Sequence, residues 1–189
     1  MVSLRELLPA PGADPMDVVD AFGQWAEASG RPLYPHQEEA VLALAMGEHV
    51  VLATPTGSGK TAAFLLPMLQ RLLAMPQLAA ERPRRLRQLV LAPTREIALQ
   101  TADAARALLQ AVPGAAAAPR LVVAVGGAAI NPQMMALRGG AHLLVATPGR
   151  LLDLLAQNAL TLADLHSLVL DEADRLLDLG FADELGRVL

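Results

Sequence analysis

Five short apolar runs, residues 49–53, 86–92, 121–125, 143–146 and 168–171, constrain the fold of this chain more than any other feature. Each is bounded by turn-forming residues and is continuous instead of alternating, as strands buried on both faces are. Stretches with helical character separate them, at residues 60–74, 95–111, roughly 132–138, 150–157 and 173–179. Strand–helix alternation with connections of this length predicts an α/β fold, a three-layer parallel sheet joined by right-handed crossovers. Ligands of such sheets sit at the carboxyl ends of the strands. Three segments are expected as linkers: residues 9–15, 75–85 and 113–119, each carrying Pro.

Composition narrows the class. No run approaches the roughly 20 apolar residues of a membrane span, and Met1 to Pro9 does not have the form of a secretory signal. With no cysteine, a disulfide framework and a thiolate metal site are excluded, which suits a reducing, cytoplasmic location. The net charge of −4 provides no global basic field for nucleic acid. Lys60 is the one lysine; every other basic side chain is Arg, so a compact ammonium is required at one place only.

The surroundings of that lysine explain it. Ala53, Thr54, Pro55, Thr56, Gly57, Ser58, Gly59, Lys60 and Thr61 follow the first apolar run and open a helix. Gly57 and Gly59 permit the backbone angles that turn amides toward one anion at a helix N-terminus. Lys60 would reach the β- and γ-phosphates of a nucleotide, and the Thr61 hydroxyl could ligate Mg²⁺. The alternative is a Gly-rich strand-to-helix turn without a ligand. The fifth run ends in Asp171-Glu172-Ala173-Asp174. Adjacent carboxylates after a buried strand fit an Asp171 that holds Mg²⁺ and a Glu172 that polarises the attacking water. Taken alone, they could equally complement a helix dipole.

With both segments in view, the chain resembles the DEAD-box RNA helicases of superfamily 2. Asp171-Glu172-Ala173-Asp174 carries the name, and Pro93-Thr94-Arg95-Glu96-Ile97-Ala98 with Gln100, Gly126-Gly127 and Thr147-Pro148-Gly149-Arg150 follow in family order. From Lys60 onward the wording is closest to the RhlE-like subgroup, whereas the first 60 or so residues look more Ski2-like. The resemblance implies a RecA-like P-loop NTPase domain that uses ATP and Mg²⁺, with Lys60, Asp171 and Glu172 as catalytic residues. Asp174 would couple the motif to the neighbouring domain. Pro93, Thr94, Arg95, Gly126, Gly127, Thr147, Pro148, Gly149 and Arg150 would grip RNA independently of its sequence. Thr94 and Thr147 read as N-caps whose free amides face phosphates, and Gly126-Gly127 as a place of close backbone approach; ordinary capping and turn chemistry is the other reading. Gln37 is the expected adenine contact, although it lies in Leu33-Tyr-Pro-His-Gln37 instead of the family's Pro-Thr-x-Ile-Gln.

In family terms, residues 1–20 are expected as an extension and 21–189 as the first RecA-like domain, lacking the Ser-Ala-Thr strand and the second RecA-like domain with its arginine fingers. The gap left by that strand is expected to make the sheet marginal or prone to association. Two rival functions stay open: a DNA-directed superfamily 2 translocase, and a nucleotide- or RNA-binding fragment that never turns over. The remaining candidates are structural. His36, His49, His142 and His166 have no metal spacing, and Phe22, Trp25 and Tyr34 are expected as packing aromatics. Met134 and Met135 are expected to pack too, and Arg82, Arg84, Arg85 and Arg87 to form a solvated loop or a nucleic-acid contact.

Overall fold

The computed structural model describes residues 9, 14–28, 35–46, 50, 60–75, 78, 80–110 and 119–188. The first apolar run except residue 50, residues 53–59 and most of the 113–119 linker lie outside the described residues. Two compact units divide the chain, one of residues 1–76 and 107–118, the other of residues 77–106 and 119–189.

In the first unit, α1 (Pro15–Ala28), α2 (Pro35–Met46) and α3 (Lys60–Leu73) pack in succession. Pro15 is pre-set for the first position of a helix, and the Asp14 carboxylate accepts the Met16 N–H at 2.8 Å, which caps α1. Val41, Ala63 and Leu66 form the centre of a small apolar cluster, with Val19, Ala62 and Leu108 against it. The helix at 60–74 was legible; α1 and α2 were not among the expected elements.

The second unit contains β1 (Gln88–Leu91), α4 (Arg95–Gln110, with residues 95–106 in this unit), β2 (Leu121–Ala124) and α5 (Ile130–Leu137). Then come β3 (Leu143–Ala146), α6 (Pro148–Ala156), β4 (Ser167–Leu170), α7 (Ala173–Asp178) and α8 (Ala182–Gly186). The strands are all parallel, in the order β2-β3-β1-β4. From β1 to β2 the chain moves one way across the sheet, and from β2 through β3 to β4 it moves back. Right-handed crossovers therefore put α4 on the face opposite α5 and α6.

The expected continuous burial holds where a strand has two neighbours: every residue of β1 and β3 is buried. At the margins of the described sheet, β2 alternates and β4 is half-buried throughout. Leu89, Leu91 and Leu144 are completely buried with Leu151 and Leu154 of α6 and Leu176 of α7. Each such side chain contributes about 1.5–3 kcal/mol relative to exposure. Met134 packs against this core as expected, whereas Met135 is 54% exposed. A helix of eight residues over one sheet turns only one side inward, so neighbouring residues part company.

Candidate functional site

Strand register sets the site's frame. Ala124, Ala146, Leu91 and Leu170 are aligned across the sheet, and the ladder runs one residue further. Ala92 N–H donates to Ala146 O at 2.9 Å, Thr147 N–H to Ala124 O at 3.1 Å and Asp171 N–H to Leu91 O at 2.8 Å. Val125, Thr147, Ala92 and Asp171 thus form one row at the carboxyl ends. Every motif of this unit leaves the sheet from that row, with adjacent strands about 4.8 Å apart.

The motif loops are tied to one another. Thr94 is a true N-cap of α4: its Oγ1 accepts the Ile97 N–H at 3.3 Å. Thr147 occupies the N-cap position of α6 with extended backbone, but its hydroxyl accepts the Gly126 N–H at 3.1 Å instead. That bond couples the Thr147-to-Arg150 segment to the Gly-Gly loop and leaves the first amides of α6 without a side-chain cap. Arg150 Nη2 donates to Ala128 O at 2.8 Å, and its Nε lies 3.5 Å from Asp153. With a side chain only 9% exposed, Arg150 braces the loop, and its Nη1 has no hydrogen-bond partner among the described residues. Gln133 holds the same loop, accepting from Val125 N–H at 3.0 Å and donating to Val125 O at 3.1 Å. Gly127 has φ +69 and open space around it, Pro93 and Pro148 are buried, and Arg95 and Gly149 are exposed.

Asp171 is buried at 7% exposure, and its Oδ2 accepts the hydroxyl of Thr101 at 3.0 Å. Thr101 belongs to the inward stripe Ala98, Thr101, Ala102 and Ala105 of α4, where small side chains surround one donor. Glu172 has φ 50 and ψ 56, the left-handed region, as the N-cap of α7. A non-Gly residue there costs about 1–2 kcal/mol, a strain that concentrates at functional positions. Its Oε2 accepts from Arg175 at 3.1 Å, and Asp174 is exposed in the first turn of α7. In the other unit, Lys60 and Thr61 are the first two residues of α3, both half-buried. Gln37 lies on α2, but its side chain, like Ala53, Thr54, Pro55, Thr56, Gly57, Ser58 and Gly59, is outside the described residues.

The DEAD/DEAH box helicase family model matches residues 34–189. The chain belongs to this family. It is 47% identical over 156 residues to the ATP-dependent rRNA helicase RRP3 of Pyricularia oryzae, covering 82% of this chain and 27% of that protein. It is 40% identical over 187 residues to rrp3 of Emericella nidulans, covering 98% and 38% respectively. The ATP-dependent RNA helicase vasa of Drosophila melanogaster is 36% identical, with 82% of this chain and 22% of that protein covered. Among solved structures, the yeast DEAD-box splicing factor Prp28 is similar with a TM-score of 0.75 and 28% identity, over 95% of this chain and 42% of that one. The chain thus spans less than half the length of each of these proteins.

Within this DEAD-box unit, Thr101, Gln133 and Arg175 are the site's supporting residues that sequence reading missed. Thr101 and Gln133 had a faint signal, since each is polar on an otherwise apolar or small face. The expected loop arginines also prove structured. Arg87, with a side chain 11% exposed, donates to Glu81 at 2.8 Å, and Arg85 pairs with Asp164 at 3.1 Å. Burial raises the Glu81 carboxyl, but the Arg85 amide and the Arg87 guanidinium outweigh it and hold the group below its ordinary value. His142 is 2% exposed and accepts the Arg120 N–H on Nδ1 at 2.9 Å. Desolvation pushes it down to about 4, against the attraction of Glu81. Among the described residues, no cluster of His, Asp or Glu could hold a metal by itself, and no helix is long and apolar enough to cross a membrane.

Proposed function

We propose that this chain supplies the ATP-binding and RNA-gripping domain of an ATP-dependent RNA helicase. The observation that carries the proposal is the single row at the carboxyl ends, from which the Thr94, Gly126, Thr147 and Asp171 segments all depart, interlocked by the Thr147–Gly126 and Thr101–Asp171 hydrogen bonds. The chain's similarity to RRP3, an ATP-dependent rRNA helicase, and to vasa, an ATP-dependent RNA helicase, supports it. Local separation of RNA duplexes is proposed for the whole protein, in which a first RecA-like domain of this kind works against a second. A cytoplasmic location is part of the proposal and rests on the cysteine-free sequence.

The residues suit Mg²⁺: Asp171 and Thr61 offer hard oxygen donors, and Mg²⁺ is ordinarily held by one or two carboxylates together with substrate phosphates. When bound, the ion neutralises charge that develops on the transferring phosphoryl group. Lys60 and the N–H groups at the start of α3 are proposed to bind phosphate, and Gln37 to read the adenine edge. Thr101 fixes the orientation of the Asp171 carboxylate. Glu172 is the proposed base, accepting the proton of the attacking water at a carboxylate oxygen. For RNA, the uncapped amides at the start of α6, the open Gly127 and the exposed Arg95 are proposed to meet phosphates and sugars, with the 2′-hydroxyl as the distinguishing group.

The test compares single-stranded RNA with DNA of matched sequence, by fluorescence anisotropy at fixed salt with Mg·ATP present. RNA is expected to bind more tightly, and Thr147→Val to weaken it severalfold by releasing Gly126. Equal affinity for the two strands would assign the domain to a DNA-directed machine.

A further inference from the structure

The amino ends of the strands carry a second feature, at the opposite edge of the sheet from the helicase motifs of this unit. Arg120, His142, Arg87 and His166 form a row there, joined by backbone bonds such as His142 N–H to Arg120 O at 2.9 Å and His166 N–H to Arg87 O at 2.7 Å. Beside this row opens a cleft of about 830 Å³ between the segment before β1, the end of α5 and the loop before β4. Its volume lies within the range of well-formed ligand pockets.

Charge in the cleft is unbalanced. Arg84, Arg85 and Arg138 line it, while its one acid, Asp164, is engaged by Arg85 at 3.1 Å. Arg120 donates to Ala136 O at 2.6 Å and caps the carboxyl end of α5, and Arg84 donates at 3.3 Å to Gly139 O just beyond it. A helix terminus offers only about half a negative charge. Arg82, Arg84, Arg120 and Arg138 have no carboxylate partner among the described residues. The Arg84 guanidinium is correspondingly disfavoured, first by desolvation and then by Arg82 and Arg120.

Leu86, Met134, Met135, Leu137 and Leu160 give the lining its apolar part, the polar Asn131, Gln157, Asn158 and Thr161 lie beside them, and no aromatic side chain contributes. A nucleic-acid site would profit from stacking platforms, which are absent from this lining. Methionines adapt to a buried aliphatic or aromatic side chain, and Met135 is 54% exposed at the rim. We propose that the cleft docks a short peptide segment of a partner protein, one large apolar side chain flanked by carboxylates. On the proposed function, the row at the amino ends is separated from the RNA-gripping row by five residues of strand, about 17 Å, so the partner and RNA can bind together.

Panning phage-displayed random peptides on the purified chain tests this. Enriched peptides are expected to combine Asp or Glu with a large apolar residue. A synthesised peptide of that sequence should lose about tenfold or more in affinity against Arg138→Glu and against Met135→Asp, and should be retained when oligo-uridylate and Mg·ATP saturate the protein. Arg138 and Met135 are exposed, and unchanged circular dichroism melts of both variants will show that they fold. The proposal is overturned if no peptide enriches or the enriched peptides lack acids. It is equally overturned if both folded variants bind the peptide as the wild type does. Displacement by oligo-uridylate would make the cleft an RNA site, and self-association abolished by Arg138→Glu would make the occupant a second copy; either refutes it.

Discussion

Replacing Thr101 by Val removes one hydroxyl and almost no volume, which makes it the sharpest probe of how Asp171 is held. Oγ1 donates to Asp171 Oδ2 at 3.0 Å, with the two residues 2% and 7% exposed, so water has little access to replace the lost donor. A hydrogen bond to a charged group contributes about 1.5–3 kcal/mol. At roughly 2–4 °C per kcal/mol for a chain of this size, thermal unfolding should fall by about 3–12 °C. The same bond orients the proposed Mg²⁺ ligand, and loss of such outer contacts typically costs about 10–100-fold in metal affinity. Nucleotide binding titrated with Mg²⁺ should therefore need at least about tenfold more of the ion in Thr101→Val, while Thr101→Ser, which keeps the donor, should restore both readouts. The reasoning fails if Thr101→Val melts and titrates as the wild type does, or if Thr101→Ser is as impaired as Thr101→Val.

Glu172→Gly should raise stability to urea by about 1 kcal/mol, because glycine adopts the left-handed backbone without strain, while removing the proposed base; an unchanged or lower urea midpoint would show that the φ of 50 is not strained. Acidification should destabilise the second unit through His142. Its folded value of about 4 lies below the ordinary 6.5, so the unfolded chain binds the proton first. The contribution is full above pH 6.5 and is lost as pH falls from there to about 4, up to about 3 kcal/mol at 1.36 kcal/mol per unit; urea titrations should show that slope flattened in His142→Asn. Gly140→Ala should cost at least about 3 kcal/mol, since its φ is +70 and a Cβ would overlap the Arg84 carbonyl. Gly127→Ala, with φ +69 in open space, should cost only about 1–2 kcal/mol; equal losses in a melting comparison would contradict the packing at Gly140.

The strands at 86–92, 121–125, 143–146 and 168–171 were readable because their apolar residues are continuous, and β1 and β3 are buried as that continuity demands. Helices α1 and α2 escaped notice for opposite reasons. Pro15 closed an expected linker although it opens a helix, and α2 runs apolar residues around most of its circumference without a clear stripe. The residues of each motif were legible as words, but not their cross-links. Nothing in a sequence says that Thr147 spends its hydroxyl on Gly126, 21 positions away, or that Thr101 reaches Asp171, 70 positions away. The same holds for the arginine segment, expected as a solvated loop or a nucleic-acid contact. It is drawn into the strand ends by Glu81 and Asp164, carboxylates whose partners only the fold selects.

The proposed function requires that the chain bind Mg·ATP through the helix start that its one lysine occupies. Equilibrium binding of a fluorescent ATP analogue to the purified chain tests it directly. Saturable, Mg²⁺-dependent binding is expected, which unlabelled ATP displaces and Lys60→Ala abolishes in a protein of unchanged circular dichroism. Binding that survives Lys60→Ala, or no binding by the folded wild-type chain, would contradict it.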